Sequence, residues 1–197
     1  ADRAGDHAGA GRTAIVGERG SWSYADLRER VDRIAHVLRG PMGLEAGNRV
    51  LLRGANHPMM AACILAVIKA GCIAVPTMPL LRSRELAVIA GKAEINAVLC
   101  AASLRADLEA VDLPQAVRDK TLWFDGEDGD ASEVRHAHDH DPLETLMAAQ
   151  PPSFDAVDTA ADDVCLISFT SGTTGIPKGT MHFHRDVLAI CDCFPRS

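Results

Sequence analysis

Two short segments, Cys72–Val75 and Val164–Ile167, are apolar at every position. A strand with one wet face alternates apolar and polar residues, so an unbroken apolar strand must be covered on both faces. Between such segments run stretches with helical periodicity. Leu27, Val31, Ile34 and Leu38 recur at helical intervals behind a Ser23/Asp26 capping-box spacing. Gly40-Pro41 ends that helix. A second helix is predicted from Pro58 to about Ala70, with Asn56 as its cap and Gly71 as a left-handed stop. Further helices are predicted over Ser83–Lys92, Ser103–Val111, a short piece after Asp141, and Arg185–Phe194. Strands are predicted at Thr13–Val16, Ser21–Tyr24, Arg49–Leu52, Asn96–Cys100 and Thr121–Phe124. This alternation calls for an α/β layered fold with a mostly parallel sheet flanked by helices.

Charge and cysteine usage narrow the class. Twenty basic residues stand against 27 acidic ones, a formal net charge of −7, and no basic stripe occurs. Nucleic-acid binding is therefore excluded as an expectation, because phosphate backbones demand clustered Lys and Arg. The longest apolar stretch, Met59–Val75, contains Lys69 and Gly71 and reads as a buried helix plus a strand rather than a membrane span. Lys69 is expected to snorkel or to cap its helix. The six cysteines lack zinc spacing and read as buried reduced thiols, which points to a cytoplasmic protein. Trp22 and Trp123 read as core.

The chain divides by composition. Residues 1–12 are polar and read as a flexible start, and 125–141 is an acidic, His-rich segment without hydrophobic period, read as a surface loop. His136, His138 and His140 alternate, which would place three imidazoles on one side of a strand as zinc ligands; the competing reading is an exposed polar loop with incidental histidines.

The segment 164–179 carries the chemistry. A buried strand feeds Thr170-Ser171-Gly172-Thr173-Thr174-Gly175-Ile176-Pro177-Lys178-Gly179. Gly172 and Gly175 permit positive φ, so that backbone N–H groups can turn toward one point. Thr170, Ser171, Thr173 and Thr174 add hydroxyl donors suited to phosphate oxygens. Lys178 adds a positive charge. A unit charge pair at 4 Å is worth ~1 kcal/mol in water and ~4 kcal/mol at an effective dielectric near 20, so the lysine matters most in a cleft. The spacing is not that of the ordinary P-loop, G-x-x-x-x-G-K-[ST].

Those ten residues resemble the AMP-binding signature of the adenylate-forming superfamily, which includes acyl-CoA synthetases, peptide-synthetase adenylation domains and beetle luciferases. Ser23-Tyr24-Ala25-Asp26-Leu27 resembles the family's Thr-Tyr-x-x-Leu, and Ala66–Pro76 its Leu-Lys-Ala-Gly-x-x-x-x-Pro. His184-Arg185 resembles the family's Thr-His-Arg, with Phe183 in place of Thr. Gly179–Asp186 looks most similar to benzoate– and 2-aminobenzoate–CoA ligases. The resemblance implies a two-step reaction: a carboxylic acid attacks the α-phosphate of ATP, and the resulting acyl-adenylate passes to a thiol such as that of CoA. It implies that Thr170, Ser171, Gly172, Thr173, Thr174 and Gly175 hold phosphate, that Lys178 neutralises charge with Mg²⁺, and that His184 lies near the nucleotide or acyl pocket; His182 more plausibly serves a strand-to-helix turn. The family's ribose-binding segment and catalytic lysine fall beyond Ser197, so the chain reads as a truncated N-terminal AMP-binding domain, inactive alone. An amino-acid adenylation module and a non-catalytic scaffold retaining the fold are the alternatives. Substrate, thiol acceptor and homo-oligomerisation stay open.

Overall fold

The computed structural model describes residues 9–17, 20–125, 143–170 and 177–193. The His136/His138/His140 segment, the start of the chain to Ala8, and Ser171–Ile176 lie outside the described residues. A six-stranded sheet forms the centre, in the order β6-β5-β3-β4-β7-β8. Its strands are β3 (Arg49–Arg53), β4 (Ile73–Thr77), β5 (Ala97–Ala101), β6 (Thr121–Phe124), β7 (Val164–Thr170) and β8 (Lys178–Phe183). All neighbours run parallel except β8, which is antiparallel to β7. The expected α/β architecture is what the chain adopts. A separate antiparallel hairpin, β1 (Thr13–Gly17) and β2 (Gly20–Ser23), leads into the first helix.

Successive residues of β3 explain the unbroken apolar strands. Val50 and Leu52 enter one core, while Leu51 enters the other. The first core is closed by α1 (Tyr24–Arg39), α2 (Pro58–Lys69) and α6 (Leu143–Ala148), through Ile34, Leu38, Cys63, Val67 and Leu143. The second is closed by α3 (Ser83–Ala93), α4 (Arg105–Glu109) and α5 (Gln115–Arg118), through Leu86, Ile89, Leu108 and Val117. Both strand faces are thus dry, as full burial of an alternating backbone requires.

The helix boundaries follow local chemistry. Ser23 and Asp26 form the expected reciprocal cap: the Asp26 N–H donates to Ser23 Oγ, and the Ser23 N–H to Asp26 Oδ2. The Ser23 hydroxyl also donates to Asp26 Oδ2 at 2.7 Å, and this bond first, then the one from the Ser23 N–H, holds the Asp26 carboxyl below its ordinary value. The cap of α2 is His57 rather than Asn56, with His57 Nδ1 accepting the Met59 N–H at 3.1 Å. Gly71 does take positive φ, +72°, and a Cβ there would lie 2.7 Å from a Val157 methyl. The expected single helix Ser103–Val111 is a 3₁₀ turn at Ala102–Leu104 followed by α4.

Lys69 neither snorkels nor caps. Its Nζ donates to Asp32 Oδ1 at 2.5 Å, and the two side chains are 5% and 1% exposed. The helix wall around Lys69 is packed on every side, so the ammonium meets a carboxylate of α1 instead of water. Cys63, Cys72, Cys100 and Cys165 are buried free thiols, as expected, but Cys191 and Cys193 are exposed. Burial pushes the Cys72 and Cys100 thiols up to about 11 and about 12, so both stay protonated and inert. Trp123 is core, with the Arg105 guanidinium 4.6 Å from its ring centre; Trp22 is half-buried under Arg30. Among the described residues no helix is long and apolar enough to cross a membrane.

Candidate phosphate-binding site

Open parallel sheets bind ligands beyond the carboxyl ends of their strands, near the point where the strand order reverses. Here the chain passes from β3 to β4 on one side and then crosses back to β5 on the other. The connections after β3, β4 and β7 all leave from that carboxyl edge. The connection after β7 is the hydroxyl- and glycine-rich segment.

The two flanks of that segment are fixed. β7 and β8 pair antiparallel through Phe169↔Gly179 to Thr170↔Lys178, which is the last pair of the ladder. Thr170 and Lys178 therefore face each other across one strand spacing, ~5 Å between Cα atoms. Gly179 makes that closeness affordable: a Cβ there would sit 3.1 Å from both Ile167 Cγ2 and the Phe169 ring. Ile167 and Phe169 in turn pack against the second core. A glycine opposite an aromatic ring seats β8 tightly on β7 and pins the register.

Both flanking side chains are presented outward. Thr170 and Lys178 are exposed, and among the described residues Lys178 makes no ion pair. A second lysine arrives from α3: Lys92 Nζ donates to the Pro177 carbonyl at 2.9 Å. Nothing in the sequence marks Lys92 apart from its place in the last turn of a helix. Ser171, Gly172, Thr173, Thr174 and Gly175 lie outside the described residues.

His184 is not brought to this edge. It begins α7 (His184–Cys193) at the opposite end of β8, where its N–H donates to the Asp163 carbonyl at 3.1 Å. Strand β8 separates it from Lys178 by roughly 20 Å, at ~3.3 Å per residue. The surroundings of His184 are a turn: Phe183 N–H donates to Asp186 Oδ2 at 3.0 Å, and Arg185 pairs with Asp162. His182 is half-buried on β8, across from Leu166.

The connection after β4 is held by a residue that sequence reading missed. Arg53 ends β3 with no exposed surface. Its guanidinium donates to the carbonyls of Met78 (3.1 Å), Pro79 (3.2 Å) and Leu81 (2.8 Å), and lies 3.5 Å from Asp107 Oδ2. Five donors in a rigid fork suit this task.

A family profile described as "AMP-binding enzyme" matches residues 2–195. The chain belongs to the AMP-binding enzyme family. Among relatives of this AMP-binding chain, benzoate–CoA ligase of Thauera aromatica is 29% identical over 94% of the chain and 33% of its own length. L-proline–[L-prolyl-carrier protein] ligase of Pseudomonas fluorescens is 30% identical over 92% of the chain and 33% of its own length. A crystal structure of an anthranilate CoA ligase in complex with anthranoyl-AMP superposes with a TM-score of 0.82 at 19% identity, covering 96% of this chain and 35% of that one. At that identity the likeness is one of fold. The AMP-binding chain thus spans about a third of the length of the proteins it matches.

Proposed function

We propose that this chain is the N-terminal part of an AMP-forming acid–CoA ligase and that the hairpin turn between Thr170 and Lys178 grips the β- and γ-phosphates of ATP. The observation that carries the reading is the cross-strand pair Thr170 and Lys178, both exposed at the carboxyl edge and bracketing the hydroxyl- and glycine-rich sequence. A carboxylate must approach a polyanion in the first step. Fixed donors and a nearby cation lower that cost by orienting and neutralising pyrophosphate as it leaves. Mg²⁺ in this proposal arrives on the nucleotide phosphates, its usual place in sites of this chemistry.

The acid is proposed to be aromatic, of the benzoate or 2-aminobenzoate kind, and the acceptor CoA. Support comes from the benzoate–CoA ligase relative and from the Gly179–Asp186 stretch. The prolyl-carrier-protein ligase relative favours a second reading, an amino-acid adenylation module with a carrier-protein thiol as acceptor. A place for His184 in the nucleotide or acyl pocket is a separate proposal, tested by H184A. The cytoplasm is the proposed compartment.

The test is acid-dependent pyrophosphate release by the whole ligase that carries this segment, across aromatic acids, aliphatic acids and amino acids. Aromatic acids with CoA are expected to turn over best. K178A is expected to lower kcat/KM for ATP by about tenfold or more, the loss of one cation at developing charge. The 197-residue chain alone is expected to release no pyrophosphate. Preference for an amino acid and a carrier protein would move the assignment to the second reading, and an unchanged K178A enzyme would remove the phosphate grip.

A further inference from the structure

We propose that Lys92 is a positioning residue for nucleotide binding: from α3 it tethers Pro177, and through it Lys178, at the polyphosphate end of the site. The inference rests on the phosphate-grip reading above.

The geometry has three parts. First, the Thr170↔Lys178 pair closes the β7–β8 ladder, so Pro177 lies one residue beyond strand-to-strand support and, as a proline, carries no backbone N–H to anchor it. The Lys92 ammonium supplies an anchor by donating to the Pro177 carbonyl at 2.9 Å, across 85 residues of sequence. Second, the mount is firm. Leu86, Ile89, Ala90 and Ala93 bury α3 in the same core that receives Ile167 and Phe169 of β7. The tether therefore ties Pro177, just before β8, to a helix that shares its core with β7, the strand on which β8 is paired. Third, the charge arrangement suits an anion. The Lys92 ammonium sits on the carbonyl of the residue before Lys178, and among the described residues neither lysine makes an ion pair with a carboxylate.

Lys92 also lies in the last turn of α3, where a cation is favoured by the helix dipole. The two roles separate experimentally. A dipole contribution moves thermal stability and leaves nucleotide affinity alone. A tether moves the KM for MgATP and leaves the KM for the acid alone. In the whole ligase, K92A is expected to raise the KM for MgATP about fivefold, the scale of one partly solvated charge-assisted hydrogen bond. Its acid KM stays at the wild-type value, and K92R recovers most of the loss. In the 197-residue chain, amide exchange at Lys178 and Gly179 is expected to quicken in K92A.

A K92A enzyme whose MgATP KM stays within about twofold of wild type, beside a K178A enzyme that is impaired, overturns the tether and leaves the phosphate grip standing. Unchanged MgATP kinetics in both variants overturn the grip itself. If K92A folds poorly, K92Q and K92R decide: equal MgATP KM values in both and in wild type count against the tether, and a raised value in K92Q alone supports it.

Discussion

Glu144 shows how one residue can make the fold sensitive to pH. It sits in the first turn of α6, and its Oε1 accepts the Asp125 N–H at 3.1 Å. Its Oε2 is buried and has no hydrogen-bond partner among the described residues. Burial raises its proton affinity, and the Asp125 carboxylate adds to that, so the Glu144 pKa lies above the ordinary glutamate value. The sign follows by linkage. The folded state binds this proton more tightly than the unfolded state, so the contribution to stability is complete below the unfolded glutamate pKa, ~4.3, and is lost as pH rises through the raised value. E144Q keeps the Oε1 acceptor and removes the charge. Melting temperatures measured from pH 4 upward are expected to fall more steeply with pH for the wild type than for E144Q, with the variant the more stable of the two near neutrality. Parallel curves would show that the carboxyl is solvated well enough to ionise without cost.

At the scale of elements, the pair α1–α2 is joined through an ion pair inside its interface. Asp32 and Lys69 meet at 2.5 Å, with Arg28 3.8 Å from the second Asp32 oxygen. Truncating one partner of a buried pair leaves the other charge in a poor solvent, which costs about 3–5 kcal/mol, whereas an apolar replacement of both is often near neutral. K69M is therefore expected to lose stability on that scale in urea denaturation, and D32L/K69M to recover most of it. Sequence reading anticipated the helix but not the pair, because a period-3.6 apolar pattern locates a buried face without saying which side chain lies across it. The same limit hid Arg53. A charged residue after Val50-Leu51-Leu52 reads as the end of a strand, and only the carbonyls of Met78, Pro79 and Leu81 reveal why a guanidinium is wanted inside. Strand β8 escaped notice for another reason: Lys178-Gly179-Thr180-Met181 has neither a β-branched run nor apolar alternation. Its pairing is fixed by the fit of Gly179 on Phe169 and Ile167, a tertiary fact. By contrast, Ser23/Asp26, Gly71 and the strands of the parallel core were legible, since each is dictated by its own few residues. Of the candidate site, the ten-residue signature was legible from its residue types, while the Lys92 tether joins positions too far apart in sequence for any local pattern to connect.

The whole molecule places its proposed nucleotide grip at the weakly supported edge of the sheet. β3 is flanked by β4 and β5 and covered by both cores, with Val50, Leu51 and Leu52 fully buried. Among the described residues β8 pairs with β7 alone, and its neighbour α7 contributes no buried residue. Met181, Leu188 and Ile190 are exposed. Local opening free energy follows buried apolar contact, so stability should fall from β3 outward to β8. Native-state hydrogen exchange on the 197-residue chain is expected to find the slowest amides in Val50–Leu52 and Val98–Cys100, close to the global unfolding limit, and the fastest strand amides in Lys178–Phe183. Of the two strands that border the proposed grip, β7 is the one seated through Ile167 and Phe169 on the second core. Equal protection in β3 and β8 would show that buried apolar contact does not set the order in which these strands open.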